Sequence, residues 1–125
     1  MNWWFTAVAI LISLLVTAHS ILGEKLLLGP LFERRSLPRL LGSHRFAQWV
    51  LRFAWHLTTV LGWGMAGVLL VFARQPAGGY PVAAARVIAV TFVACALVAG
   101  IGARGKHFSV WVFGVCGVLV WLGCP

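Results

Sequence analysis

Acidic residues are almost missing from this chain. Of 125 residues two are Glu and none is Asp, against ten Lys and Arg, for a net charge of +8. Charged residues of both signs make up 10%, hydrophobic ones 62%, and mean hydropathy is +0.97. A water-soluble domain this small exposes much of its surface and cannot cover it with so few charges. The composition therefore excludes a soluble globule and makes the bilayer the solvent. Cysteine is scarce as well. Cys95, Cys116 and Cys124 form no C-x-x-C pair, and the first two fall within apolar runs. That excludes a dithiol redox centre and leaves small packing residues. No glycine-rich nucleotide loop and no nucleophile elbow is present.

What is abundant is long apolar sequence, in four runs. Residues 3–22 open with Trp3-Trp4, which suit the headgroup level. At about 1.5 Å per residue this run crosses a hydrocarbon core of roughly 30 Å. No Lys or Arg precedes it and it is long for the apolar part of a secretion signal, so a retained helix is expected. Further spans are expected at 47–73, 82–102 and 108–123, the last being the shortest. Between the first two lies a basic segment, 23–45, in which Lys25, Arg34, Arg35, Arg39 and Arg45 alternate with leucines. Gly23, Gly29-Pro30 and Pro38 read there as helix stops, so an interfacial segment lying on the membrane is expected.

Charge sets the orientation. The first and third connections carry seven Lys or Arg, Lys25 to Arg45 together with Arg104 and Lys106; the second carries Arg74. By the positive-inside rule the basic connections face the cytoplasm and both termini lie outside. Short connections make successive helices antiparallel neighbours. The expected fold is thus all-α: a polytopic, antiparallel up-down four-helix transmembrane bundle in the inner membrane, one domain over 1–125. Its excess positive charge sits beside apolar spans, so the expected partners are the bilayer and anionic headgroups at the cytoplasmic face, not nucleic acid. Small residues four apart, such as Gly62 with Ala66 and Ala96 with Gly100, permit close helix packing and are compatible with a homo-oligomer.

This topology puts the rare polar groups at one end. His19 and Glu24 end the first span, His44 and His56 flank the start of the second, and His107 opens the fourth. On the second span Trp49, Arg52, His56, Thr59 and Trp63 recur at spacings of three and four, one helical stripe. His107, Trp111, Gly114 and Trp121 do the same on the fourth. Polar groups at bilayer depth are costly and normally face a partner or a wet cavity, so both stripes are expected to look inward. On the first span Thr6, Ser13, Thr17, Ser20 and Glu24 share a face, with His19 well away from it. His19 and Glu24 meet only if the helix ends at Gly23 and the chain turns back.

Three chemical readings follow. His19, His56, His107 and Glu24 could form the first shell of a divalent transition metal, or two of the histidines could ligate a haem. The helical spacings that make such sites specific, HExxH and ExxH, are absent. Alternatively Arg52, His56 and His107, flanked by Trp49, Trp55 and Trp111, could receive an anionic lipid or lipid-like substrate, with a His–Glu pair as general base. On that reading no Ser or Cys nucleophile is evident. In the third reading the polar groups are structural, in a membrane subunit without chemistry of its own.

At HSILGEKLL and RFAWHLTTVLGW the chain resembles small bacterial four-helix membrane proteins. The resemblance covers the first two spans best and implies an architecture without implying a function. Better understood four-span families fit poorly. Small multidrug transporters need a carboxylate deep in the first helix, quinone-linked disulfide enzymes need cysteine pairs, and diheme b-type cytochromes need more intramembrane histidines.

Overall fold

The computed structural model describes residues 1–33, 42–76, 79–102 and 108–125. All regular structure among them is helical. Helix α1 spans Trp3–Gly23, a π-helical turn spans Glu24–Leu28, and α2 spans Gly29–Glu33. Helix α3 covers His44–Arg74, α4 covers Val82–Gly102 and α5 covers Ser109–Leu122. Apart from the C-terminal end of the first, the observed ends fall within a few residues of the expected spans, because uninterrupted apolar runs leave the backbone no partner but itself. Three helices are long and apolar enough to cross a membrane, Trp3–Glu33, His44–Arg74 and Val82–Ile101. At 14 residues α5 is shorter, about 21 Å at the usual helical rise.

The first expected stop is not a stop. Helical backbone continues through Gly23, Gly29 and Pro30, giving one helix of 31 residues to Glu33. A proline inside a helix lacks the N–H for its bond and its ring presses on the carbonyl four residues back. The chain accommodates this by widening the turn ahead of it: the Gly29 N–H bonds to the Glu24 carbonyl, five residues back. The Leu-rich portion of the segment up to Glu33 is thus part of a helix. Residues 34–41, with Arg34, Arg35, Arg39 and the expected stop at Pro38, lie outside the described residues.

The chain divides into two compact units, Met1–Leu15 with Trp63–Pro125, and Val16–Gly62. In the larger unit α4 and α5 run antiparallel, with Phe92 near Phe113 and Gly117 against Ala89 and Val93. The Gly117 site has no room for a side chain, since a Cβ there would lie 2.7 Å from Val93 Cγ2. Phe5, Val8, Ile12, Leu69, Cys116 and Val120 are fully buried in this unit. Its chain ends are tied together: Asn2 Nδ2 donates to the Gly123 carbonyl at 2.7 Å, as does Tyr80 Oη at 3.0 Å, and the Asn2 N–H donates to Ala73 O at 2.7 Å.

In the smaller unit α1 and α3 also run antiparallel, with Val16 against Gly62 at one end and Phe32 beside Gln48 at the other. Among the described residues apolar side-chain burial there is thin, confined to Val16, Leu28 and Ala47. Polar contacts between the helices take its place. Large apolar side chains face outward in both units, Leu14 and Leu26 among them, as helices solvated by lipid require.

Candidate functional site

The polar contacts of the smaller unit converge on Glu24, the first residue of the π turn. Arg52 on α3 grips its carboxylate in a fork, Nη2 at 2.6 Å from Oε1 and Nε at 3.1 Å from Oε2. Two such parallel bonds from one planar guanidinium fix the carboxylate's plane as well as its position. His56, one helical turn after Arg52, brings Nε2 to 3.3 Å from the same Oε2. The other face of the imidazole is engaged too: His56 Nδ1 hydrogen-bonds Ser20 Oγ on α1. The result is a linear chain, Arg52–Glu24–His56–Ser20, that crosses between helices.

Its electrostatics are nearly balanced and its members are accessible. The side chains of Arg52, His56 and Glu24 are 49%, 40% and 35% exposed. A carboxylate can only accept, so the His56 nitrogen facing it carries a proton, and in neutral imidazole Nδ1 is then the acceptor for the Ser20 hydroxyl. Arg52 also lies over the Phe32 ring, 5.1 Å from its centroid, a cation–π contact that holds the guanidinium from a second side. Gln48 Nε2 donates to the Phe32 carbonyl at 3.3 Å and satisfies a backbone acceptor at the end of α2.

A second layer of contacts between the same helices fastens the site. The His19 ring lies flat on the Trp55 indole, centroids 4.3 Å apart and planes 6° from parallel. Trp55 Nε1 donates to the His19 carbonyl at 3.2 Å. The indole fits because Gly23 has no side chain; a Cβ there would collide with three of its ring atoms. Deeper still, buried Thr59 donates to the Val16 carbonyl at 3.2 Å. Among the described residues no buried side-chain N or O lacks a partner.

The structure thus unites some expected site residues and separates others. Glu24, Arg52 and His56 are brought together. His19 is beside them but turned to Trp55, since α1 does not end at Gly23 and the chain does not fold back. Trp55 belongs to the site as its packing wall. Trp49 does not look inward: it is 63% exposed and stacks on Phe53, 5.6 Å away. Trp63 is exposed as well. Trp111 and Trp121 are exposed on α5 in the larger unit, so the tryptophans of that expected inward stripe face outward. Lipid is as apolar as a protein interior, and nothing drives a tryptophan out of it. His107 lies outside the described residues. Among the described residues no group of three or more His, Cys, Asp or Glu gathers as a metal site.

Ser20 is the participant that sequence reasoning missed. Its signal was there in part, since Ser20 and Glu24 sit four apart on one face of the first helix. What could not be read was that His56 faces both. Compared with protein families, curated proteins and solved structures, the chain matches none.

Proposed function

We propose that this is a multi-pass protein of the bacterial inner membrane, both termini outside, whose Arg52–Glu24–His56–Ser20 chain handles the polar head of an anionic lipid or lipid-like substrate at the cytoplasmic end. Membership of the small bacterial four-helix membrane proteins is part of the same reading. The observation that carries it is a fixed acid–base chain left open to the surroundings. Its three ionisable side chains are each a third to a half exposed, and exposed Lys25, Leu26, Leu27 and Phe53 surround them in sequence. Cation, carboxylate and imidazole beside exposed leucines suit an amphiphile, whose head needs charge and whose chains need oil. The segment Lys25–Arg52 adds a strong excess of basic residues, which draws anionic heads to this end.

Metal ligation draws less support. Both Glu24 oxygens already accept from Arg52 or His56, and both His56 nitrogens are engaged. A metal would have to displace the fork or the serine before gaining a ligand. The test is native mass spectrometry of the purified protein. Copurifying anionic lipid that is retained by wild type and lost on Arg52→Ala supports the reading. Wild-type protein that retains no anionic lipid in preference to zwitterionic lipid overturns it.

A further inference from the structure

We infer that Ser20 is a nucleophile, acylated by the carboxylic ester of an amphiphile with His56 as its general base. This deepens the reading of the same site as an anionic amphiphile site and rests on it. A serine inside a helix ordinarily returns its hydroxyl to the carbonyl four residues back. Ser20 instead reaches across to His56 Nδ1 on the neighbouring helix. On the far side of that ring stands a carboxylate, Glu24 Oε2 at 3.3 Å from Nε2. Beyond it Arg52 holds the carboxylate by two bonds. Hydroxyl, imidazole and acid in that order are the arrangement that activates a serine: the acid selects the tautomer, and the free ring nitrogen takes the hydroxyl proton.

The place of Ser20 selects the substrate class. It lies seventeen residues after Trp3, about 26 Å along the helix, with exposed Ile21 and Leu22 next to it and exposed Leu26 and Leu27 one to two turns on. With Trp3 at one headgroup level, that distance brings Ser20 close to the far boundary of a hydrocarbon core of roughly 30 Å, where the esters of a membrane lipid lie. In the first step Ser20 Oγ bonds to the ester carbonyl carbon and its proton passes to His56 Nδ1. The carbonyl carbon then releases the alcohol oxygen, which takes the proton from His56. In the second step water attacks the Ser20 ester, His56 accepting the water proton and returning it to Ser20 Oγ as the fatty acid leaves. Glu24 and Arg52 are positioning residues. The N–H of Ser20 belongs to the helix ladder and offers no oxyanion hole. Acylation is therefore slow, and the experiment reads labelling of the serine rather than turnover.

Full-length protein in phosphatidylglycerol–phosphatidylethanolamine vesicles is treated with a long-chain alkyl fluorophosphonate, which phosphonylates an activated serine and expels fluoride. The expected adduct maps to Ser20, is absent in Ser20→Ala, and forms at least about a hundredfold more slowly in His56→Ala. Labelling is expected to fall in Arg52→Ala and to recover partly in Arg52→Lys, a rescue that separates positioning from simple folding. A wild-type helical circular-dichroism spectrum and a cooperative melt of Ser20→Ala show that this variant is folded. Wild type that holds anionic lipid yet labels no faster at Ser20 than at its other serines overturns the inference and leaves the lipid site standing. Labelling at Ser20 in protein that holds no anionic lipid supports the nucleophile and removes the anionic substrate class.

Discussion

Arg52 and Glu24 meet in a two-pronged ion pair between α3 and the π turn, at 2.6 and 3.1 Å. The geometry is that of a fork, and lysine cannot reproduce it. Arg52→Lys is expected to keep the charge, lose one of the two bonds and loosen Glu24 from His56. Because both side chains are well exposed, solvent and headgroups screen the pair, and its coupling energy in a double-mutant cycle with Glu24→Gln is expected at about 0.2–1 kcal/mol. Thermal unfolding in detergent measures it. A coupling of several kcal/mol would show that the pair is shielded in a way its exposure does not express.

Gly23 carries a stronger structural demand than its place near a helix end suggests. Gly23→Ala is expected to push the Trp55 ring off its seat, break the His19 stack and destabilise the protein by about 1–3 kcal/mol. Gly64 is the control, since no atom lies within 4 Å of where its Cβ would be. Gly64→Ala is expected to be neutral or to stabilise by up to about 1 kcal/mol through helix propensity. Melting temperatures of the two variants decide the matter. Equal effects would mean that Trp55 is not seated against Gly23.

Elemental analysis of the purified protein is expected to find well below one equivalent of zinc, iron, manganese or copper, with no Soret band. The reason is the engagement of the Glu24 oxygens and of both His56 nitrogens, and the stacking of His19 on Trp55. One equivalent of metal that disappears in both His19→Ala and His56→Ala would overturn this expectation and restore the metal reading of the histidines.

Helix positions were legible in the sequence because hydrophobic run length is a direct consequence of bilayer thickness. The grouping of Glu24, Arg52 and His56 was legible too, from helical spacing and the place of these residues near the connection between the first two spans. Three features were not. A proline stops a helix by a local rule, and Pro30 escapes it through a wider turn that no periodicity announces. The outward tryptophans follow from lipid solvation, under which burial of large apolar groups ceases to discriminate inside from outside. Ser20 was hidden for a third reason. Its partner lies 36 residues away, and only the register between α1 and α3 pairs them. That register depends on the packing of Val16 on Gly62 and of Trp55 on Gly23.

The number of membrane crossings turns on α5, and the chain ends provide the test. Three helices are long enough to span and α5 is shorter. An odd number of crossings would put the termini on opposite sides, an even number on the same side. Asn2 Nδ2 and Tyr80 Oη both donate to the Gly123 carbonyl, a contact that opposite termini could not make. On the proposed four-span topology α5 is then expected to cross despite its length, by local thinning of the bilayer or by the few residues that flank it. Reporter fusions or impermeant labels at the two ends are expected to give the same side, the periplasmic one by the distribution of Lys and Arg. Tyr80→Phe together with Asn2→Ala removes both donors to Gly123 and is expected to lower the melting temperature while leaving the sidedness unchanged. Termini found on opposite faces would reduce the protein to three crossings and lay α5 on the membrane surface.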